Sequence, residues 1–278
     1  MRIITDSAAD LTDEELRKWG VECVRTQVVI GGESYAAGQE LTTEDLWKRM
    51  LAGEVAKTSQ PAPGAFLEAF QAAKEAGEEA LCFCVSSGVS GTIQSAHLAA
   101  AMCEWDGIHV MDTLNGTAGQ KLLVMQACRL RDEGLSAAEV AAEMEKLRGR
   151  VRLLAGIETL EYLARSGRIP KALASLGTLA KLNPLLEVSP DGRLVLGGKT
   201  FGTHRAVNSL ARRIAEMRID PAYPVLPLYS CDPVNCAALV KKLEEKGVKV
   251  SGEYCAIGAS IAPHIGPYAY GAAFVAAE

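Results

Sequence analysis

Hydroxyl side chains, backbone N–H groups and one histidine are the groups in this sequence whose types and spacing could hold an anion. The densest run is Val85-Ser86-Ser87-Gly88-Val89-Ser90-Gly91-Thr92-Ile93-Gln94-Ser95-Ala96. Gly88 and Gly91 let the backbone turn tightly and come close to a ligand. An apolar strand precedes the run and a helix follows it. Open α/β sheets bind ligands outside the carboxyl ends of their strands. The N–H groups and dipole of a helix start favour negative charge there. The pattern points to an anion site of neutral donors, with Ser90, Gly91 and Thr92 at its centre. Capping of the helix by Ser90 or Thr92 is the other reading of the same residues.

Further segments could serve the same crevice. Thr58-Ser59-Gln60-Pro61-Ala62-Pro63-Gly64 brings hydroxyls at Thr58 and Ser59 to a helix start that the prolines preset. An ordinary helix start is the alternative there. Thr5-Asp6-Ser7 follows the first strand, so Asp6 and Ser7 could organise the loops around the site, while Asp10 or Thr12 caps the next helix. Asp112 follows another strand and could hold neighbouring donors or act as a plain turn residue. In Leu160 to Pro170, Gly167 breaks a helix and leaves Arg165 and Arg168 in a loop. A loop arginine can meet carboxylate or phosphate with a two-pronged fork, or remain a solvated charge. His264 stands among small residues, glycines and prolines in Ile257 to Tyr268. It could donate to a carboxylate, or be satisfied by backbone carbonyls.

The elements that must position these residues alternate between strand and helix. Strands are expected over Arg2–Thr5, Val24–Ile30, Ala80–Val85 and Ile108–Met111. Helices are expected over Thr12–Trp19, from a capping Thr43 onward, around Phe66 to Ala73, over Thr92–Cys103 and over Gly119–Arg131. This implies an α/β fold whose first part, residues 1–150, is a mostly parallel sheet with helices on both faces. The second part, residues 151–278, reads as a mixed-sheet α/β domain. Strand-like segments span Val151–Ile157, Leu185–Val188, Leu194–Gly197, Val225–Tyr229, Val248–Tyr254 and Ala272–Val275. Ser189-Pro190-Asp191-Gly192 marks a hairpin. Helices are expected over Leu160–Leu163, Ala172–Leu182, His204–Met217 and Val234–Lys246.

Composition narrows the functional classes. A net charge of -5 with no basic stripe argues against nucleic acid as a partner. Eight cysteines without a C-x-x-C pair, and four scattered histidines, argue for reduced core thiols and against zinc. The opening Met1-Arg2-Ile3-Ile4-Thr5-Asp6 reads as a first strand rather than a signal peptide, and no apolar run approaches a spanning length, so a cytoplasmic location is expected.

In this order, the segments resemble the DegV family over essentially the whole chain. The resemblance rests on Thr5-Asp6-Ser7 with Asp10-Leu11, on Thr58-Ser59-Gln60-Pro61 and on Ser87 to Ala96. Glu161-Tyr162-Leu163 with Gly167-Arg168-Ile169, and His264 with Gly266-Pro267, complete it. It implies two α/β domains with a lipid between or beneath them. It also implies the non-enzymatic, fatty-acid-binding component of a bacterial fatty-acid kinase. Such a protein presents the carboxylate of a long-chain fatty acid to a separate ATP-binding subunit for acyl-phosphate formation. The family's carboxylate contacts would carry over to Thr58, Ser90 and His264, with Ser59, Gly91 and Thr92 beside them. Arg168 would serve phosphotransfer or kinase contact. No cofactor or metal is implied, and the cargo is compatible with transient membrane contact. An enzyme acting on a small anionic or carbonyl substrate, with His264 as nucleophile or base, is the alternative by fold-level analogy. The sequence departs from the family pattern at Ser166, Asn183, Phe201, Ile265 and Tyr268, which bears on the head-group details and on kinase docking.

Overall fold

The computed structural model describes residues 1–170 and 182–278. Arg2–Asp6 (β1), Val21–Val24 (β2), Ala80–Cys84 (β6) and Ile108–Asp112 (β7) form a parallel sheet in the order β2-β1-β6-β7. Successive side chains on a strand point to opposite faces. Ile4, Ala80, Cys82 and Cys84 pack with Phe66 and Phe70 of Pro63–Glu75 (α3) and with Ala96 and Ala99 of Thr92–Cys103 (α4). Ile3, Leu81 and Phe83 pack on the other side with Thr117–Asp132 (α5). Burial on both faces explains why β6 reads Ala-Leu-Cys-Phe-Cys without alternation.

Val151–Gly156 (β8), Leu182–Val188 (β9), Leu194–Phe201 (β10), Leu226–Tyr229 (β11), Cys255–Ala256 (β12) and Tyr270–Val275 (β13) form a mixed sheet in the order β10-β9-β8-β13-β11-β12. β11 and β12 are parallel and the other pairs antiparallel. Leu153, Ala155, Leu228 and Ala273 share a core with α5. Leu154, Tyr270, Ala272 and Phe274 face Thr203–Glu216 (α8) and Val234–Glu244 (α9). Helix α5 is therefore the layer between the two sheets. It buries even Gln120 and Lys121, and Lys121 Nζ lies 2.5 Å from Glu15 of Asp13–Trp19 (α1). A buried lysine needs such a partner.

The third sheet is antiparallel, with Glu33–Ala36 (β4), Gln27–Ile30 (β3) and Lys57–Ser59 (β5) in the order β4-β3-β5. It packs on Thr43–Leu51 (α2). Several sequence expectations are corrected here. The single strand expected over Val24–Ile30 is two strands in two sheets. Thr26 lies between them, and its N–H is taken by Ser7 Oγ at 2.9 Å instead of by a neighbouring strand. Thr42, not Thr43, caps α2 by accepting from Asp45 N. Val248–Tyr254 is not a strand. Val248 and Val250 pack on the core at alternate positions, but the ladder begins only at Cys255. Ala137–Arg148 (α6), with a Ser136–Glu139 capping box, was not anticipated. Glu161–Ser166 (α7) and the one-turn helix Ala262–Ile265 (α10) complete the elements used below. The helix expected over Ala172–Leu182 lies outside the described residues, apart from Leu182, which begins β9.

Candidate functional site: a polar cavity joined to an apolar one

Two carboxylates at strand ends fix the loop between β6 and α4. Asp6, fully buried, closes β1. Its Oδ1 accepts from Ala8 N at 2.8 Å, and its Oδ2 from Val85 N at 2.6 Å. Burial pushes its carboxyl up to about 6, against the lowering effect of these N–H groups and of Gln120. Asp112 closes β7 and accepts from Ser87 N at 3.2 Å and from Leu114 N at 2.9 Å. The loop of the densest hydroxyl run is thus held from both neighbouring strands.

The hydroxyls of that loop face groups from elsewhere in the chain. Ser90 Oγ lies 2.9 Å from Thr92 Oγ1, and Thr92 N donates to Ser90 Oγ at 3.3 Å. Gly91 occupies the cap position of α4, which has no side-chain cap. A Cβ on Gly91 would fall 2.0 Å from Gln60 Oε1, so glycine there admits the Gln60 side chain, which donates to Ser95 Oγ at 2.9 Å. Thr58 on β5 places Oγ1 2.7 Å from His264 Nε2 on α10. Burial, aided by the charge of Arg168, pushes the imidazole down to about 4. His264 is neutral near pH 7 for that reason. Its Nδ1 is buried without a hydrogen-bond partner among the described residues. Arg168 donates to Val89 O at 3.3 Å and to Ser166 O, and burial lowers its pKa. It forms no ion pair with a carboxylate among the described residues.

These side chains line one cavity of about 330 Å³. Thr58, Ser59, Ser90, Gly91, Thr92, Arg168 and His264 all contribute to it. Asp6, Ser7 and Asp112 are not in its wall; they hold the segments that are. Ser7 Oγ lies 2.7 Å from Ser260 Oγ and 3.1 Å from Thr26 Oγ1, and Thr26 Oγ1 donates to Ser260 Oγ at 2.8 Å. Thr26 and Ser260 line the cavity and were not singled out in the sequence. Ser260 sits in the histidine segment between Ala259 and Ile261, and no local pattern marks it as a site residue. Thr26 stands between Arg25 and Gln27 inside the segment read as one strand, where a lone threonine carries no site signal.

A second cavity of about 90 Å³ lies between the sheets. Leu153, Ala155, Leu186, Leu228, Ile257 and Val188 supply its apolar wall. The β9–β10 turn closes over it. Ser86 Oγ donates to Gly192 O at 2.7 Å, and a Cβ on Gly88 would lie only 2.6 Å from the same carbonyl. Val85, Val89, Leu194, Ile261 and Ile265 line both cavities. Among the departures, Ile265 thus stands at the junction. Tyr268 keeps φ +61, a conformation that favours glycine. Asn183 is buried and Phe201 is exposed. No helix among the described residues is long and apolar enough to cross a membrane.

A family model described as "Uncharacterised protein, DegV family" matches residues 1–277. The DegV domain-containing protein YteA of Lactococcus lactis is 36% identical over 255 residues, covering 89% of this chain and 88% of that protein. A DegV domain-containing protein of Deinococcus radiodurans is 34% identical over 276 residues, covering 98% and 96%. A fatty-acid-binding DegV family protein from Thermus thermophilus has a similar structure, with a TM-score of 0.88 at 34% identity; 99% of this chain and 100% of that chain are covered. A stearic-acid-binding protein from Eubacterium ventriosum gives 0.89 at 28% identity, with 99% and 98% covered.

Proposed function

Because the chain belongs to the DegV family, we propose that it binds a long-chain fatty acid, the carboxylate in the hydroxyl-lined cavity and the acyl chain in the apolar one. The shared wall of the two cavities carries this reading, because a ligand with one anionic end and one apolar body fits that junction. Each buried CH₂ is worth about 0.8 kcal/mol, so the chain supplies the affinity and the head group needs only orientation. Thr58, Ser90 and His264 are the proposed carboxylate contacts, supported by Ser59, Gly91 and Thr92. A neutral imidazole still offers one N–H donor. The similar structures from Thermus thermophilus and Eubacterium ventriosum, described as binding fatty acid and stearic acid, support the ligand class.

The protein then acts as a carrier that presents the carboxylate to a separate kinase subunit. Arg168, half-buried beside the cavity, is the proposed contact for the phosphate or for the kinase. The competing reading, catalysis by His264, is less well supported. General-base histidines are oriented by a third group, and the Nδ1 of His264 meets none among the described residues.

Mass spectrometry of the denatured, purified protein should release an acyl chain. A small polar adduct on His264 instead would favour the enzyme. Thr58→Val and Ser90→Ala should each weaken stearate binding about tenfold or more, the range of one charge-assisted hydrogen bond, without unfolding the protein. Unchanged affinity in both would move the head-group site elsewhere. Arg168→Ala should keep stearate affinity and lose acyl-phosphate formation in a reconstituted kinase assay; full turnover would return Arg168 to the class of surface charges.

A further inference from the structure

The β9–β10 hairpin reaches past the strand beside it. Strand β9 pairs with β8 only through Leu185, Leu186 and Glu187, opposite Gly156, Ala155 and Leu154. From Val188 through the turn to Leu194, its hydrogen bonds run within the hairpin. Leu194 pairs with Val188, Ser189 N donates to Arg193 O at 2.9 Å, and Gly192 N donates to Ser189 O at 2.8 Å. Among the described residues one hydrogen bond leaves this tip, from Ser86 Oγ to Gly192 O at 2.7 Å. Leu186, Val188, Gly192 and Leu194 of the hairpin all line the apolar cavity, and Leu194 lines the polar one as well.

The base of the hairpin is built differently from its tip. Gly197 is the extra residue of a β-bulge, between the pairs Leu196–Leu186 and Gly198–Leu185. Arg213 on α8 donates to Gly197 O at 2.8 Å and forms an ion pair with Glu187 of the facing strand. A Cβ on Gly197 would overlap Glu187 Oε1, so glycine there admits this clamp. A bulge bends its strand and interrupts the ladder. Hinges form at a few such positions, which absorb the backbone rotation. The hairpin is therefore clamped at the bulge and held beyond it by one side-chain tie. Val188, Leu194 and Leu196 are only partly buried. Elements that open are drawn from those with few buried contacts.

Resting on the fatty-acid reading above, we propose that the hairpin tip, residues 188–194, is the gate through which the acyl chain enters and leaves, hinged at Gly197 and latched by Ser86 on the Gly192 carbonyl. Opening breaks one hydrogen bond and lifts Val188, Gly192 and Leu194 from the apolar cavity together. Leu194 belongs to both cavities, so the same motion uncovers their junction. The acid then enters sideways, and its chain need not thread past the hydroxyls. The other side of the latch is fixed. Asp6 and Asp112 hold the β6–α4 loop through Val85 N and Ser87 N, so the hairpin is the part that moves.

The test follows exchange of radiolabelled stearic acid on the delipidated full-length protein. Ser86→Ala should raise the entry and release rates alike, about threefold to tenfold, the range of one neutral hydrogen bond. Affinity should change far less, because the latch is made with and without ligand. A Cβ on Gly192 would stand 3.1 Å from Ser86 Cβ, close to the roughly 3.5–4.5 Å that a disulfide bridges. The double variant Ser86→Cys, Gly192→Cys should therefore lose exchange when oxidised and regain it when the same sample is reduced. The parent, oxidised alike, should exchange throughout. Exchange that continues in the oxidised double variant, or Ser86→Ala rates equal to the parent's, overturns the gate and leaves the fatty-acid reading standing. Weaker affinity with an unchanged entry rate would make Ser86 a ligand contact and overturn the latch. If the parent binds no stearic acid, both readings fall. Should the double variant fail to fold, the Ser86→Ala rates decide.

Discussion

The imidazole of His264 illustrates how burial sets chemistry at a single residue. Its pKa lies at about 4 in the folded chain against 6.5 for a free imidazole. As pH falls, the unfolded chain takes the proton first. The stability that His264 contributes is complete above pH 6.5 and is lost as pH falls through about 4. A shift of this size corresponds to a loss on the order of 3 kcal/mol. Asp6 acts in the opposite sense: its raised pKa of about 6 favours the folded state below pH 3.8, and that advantage is lost as pH rises through 6. Comparing the parent with His264→Gln cancels the Asp6 effect. The urea midpoint of the parent should drop relative to the variant between pH 6.5 and 4; parallel curves would show that His264 does not titrate in this range. In the sequence, His264 stood out by its setting of glycines and prolines. Its pairing with Thr58, 206 positions away, did not.

At the scale of elements, α10 is a single turn whose position depends on Gly266. That glycine has φ +77, and a Cβ there would lie 2.3 Å from Tyr162 Cδ2 on α7. Gly266→Ala should cost about 1–3 kcal/mol for a positive-φ, extended-ψ backbone that is essentially confined to glycine (ψ 178) and about 1–3 kcal/mol for overpacking. It should also weaken stearate binding, because His264 rides on the same turn. Urea denaturation and stearate titration check both effects; a loss below about 0.5 kcal/mol, within the range of a neutral surface change, would show that Tyr162 simply moves aside. Long periodic elements such as α3, α4 and α5 were legible because their own side chains carry the signal. The short elements β5, β12 and α10 were not, since two or three residues of strand or four of helix fall below any periodicity. Lys57–Ser59 is a strand because Gln27–Val29 pair with it.

For the whole molecule, α5 is the decisive feature. It packs against β1 and β6 of one sheet and β8, β11 and β13 of the other. We propose a domain boundary near residue 150; the strands fall within Arg2–Asp112 in two sheets and within Val151–Val275 in the third. The shared helix implies that the parts are not independent. Residues 1–150 expressed alone should leave one face of α5 uncovered, bind a hydrophobic dye and lack a cooperative unfolding transition. A fragment that unfolds cooperatively and leaves the dye unbound would mean that the second sheet is dispensable to the first.

Local information in the chain determined the α/β class, the main strands and helices, the hydroxyl-rich loop after β6 and the candidate His264. Periodicity, caps and glycine positions act over a few residues and are written in the sequence itself. Only the tertiary structure decided that Val24–Ile30 divides between two sheets, that Thr26 and Ser260 complete the polar wall, and that Asp6 and Asp112 hold one loop from two sides. The joining of a polar cavity to an apolar one was decided there too, along with the tie from Ser86 to Gly192. These features depend on which distant residues meet. They follow from packing between segments, which no local pattern encodes.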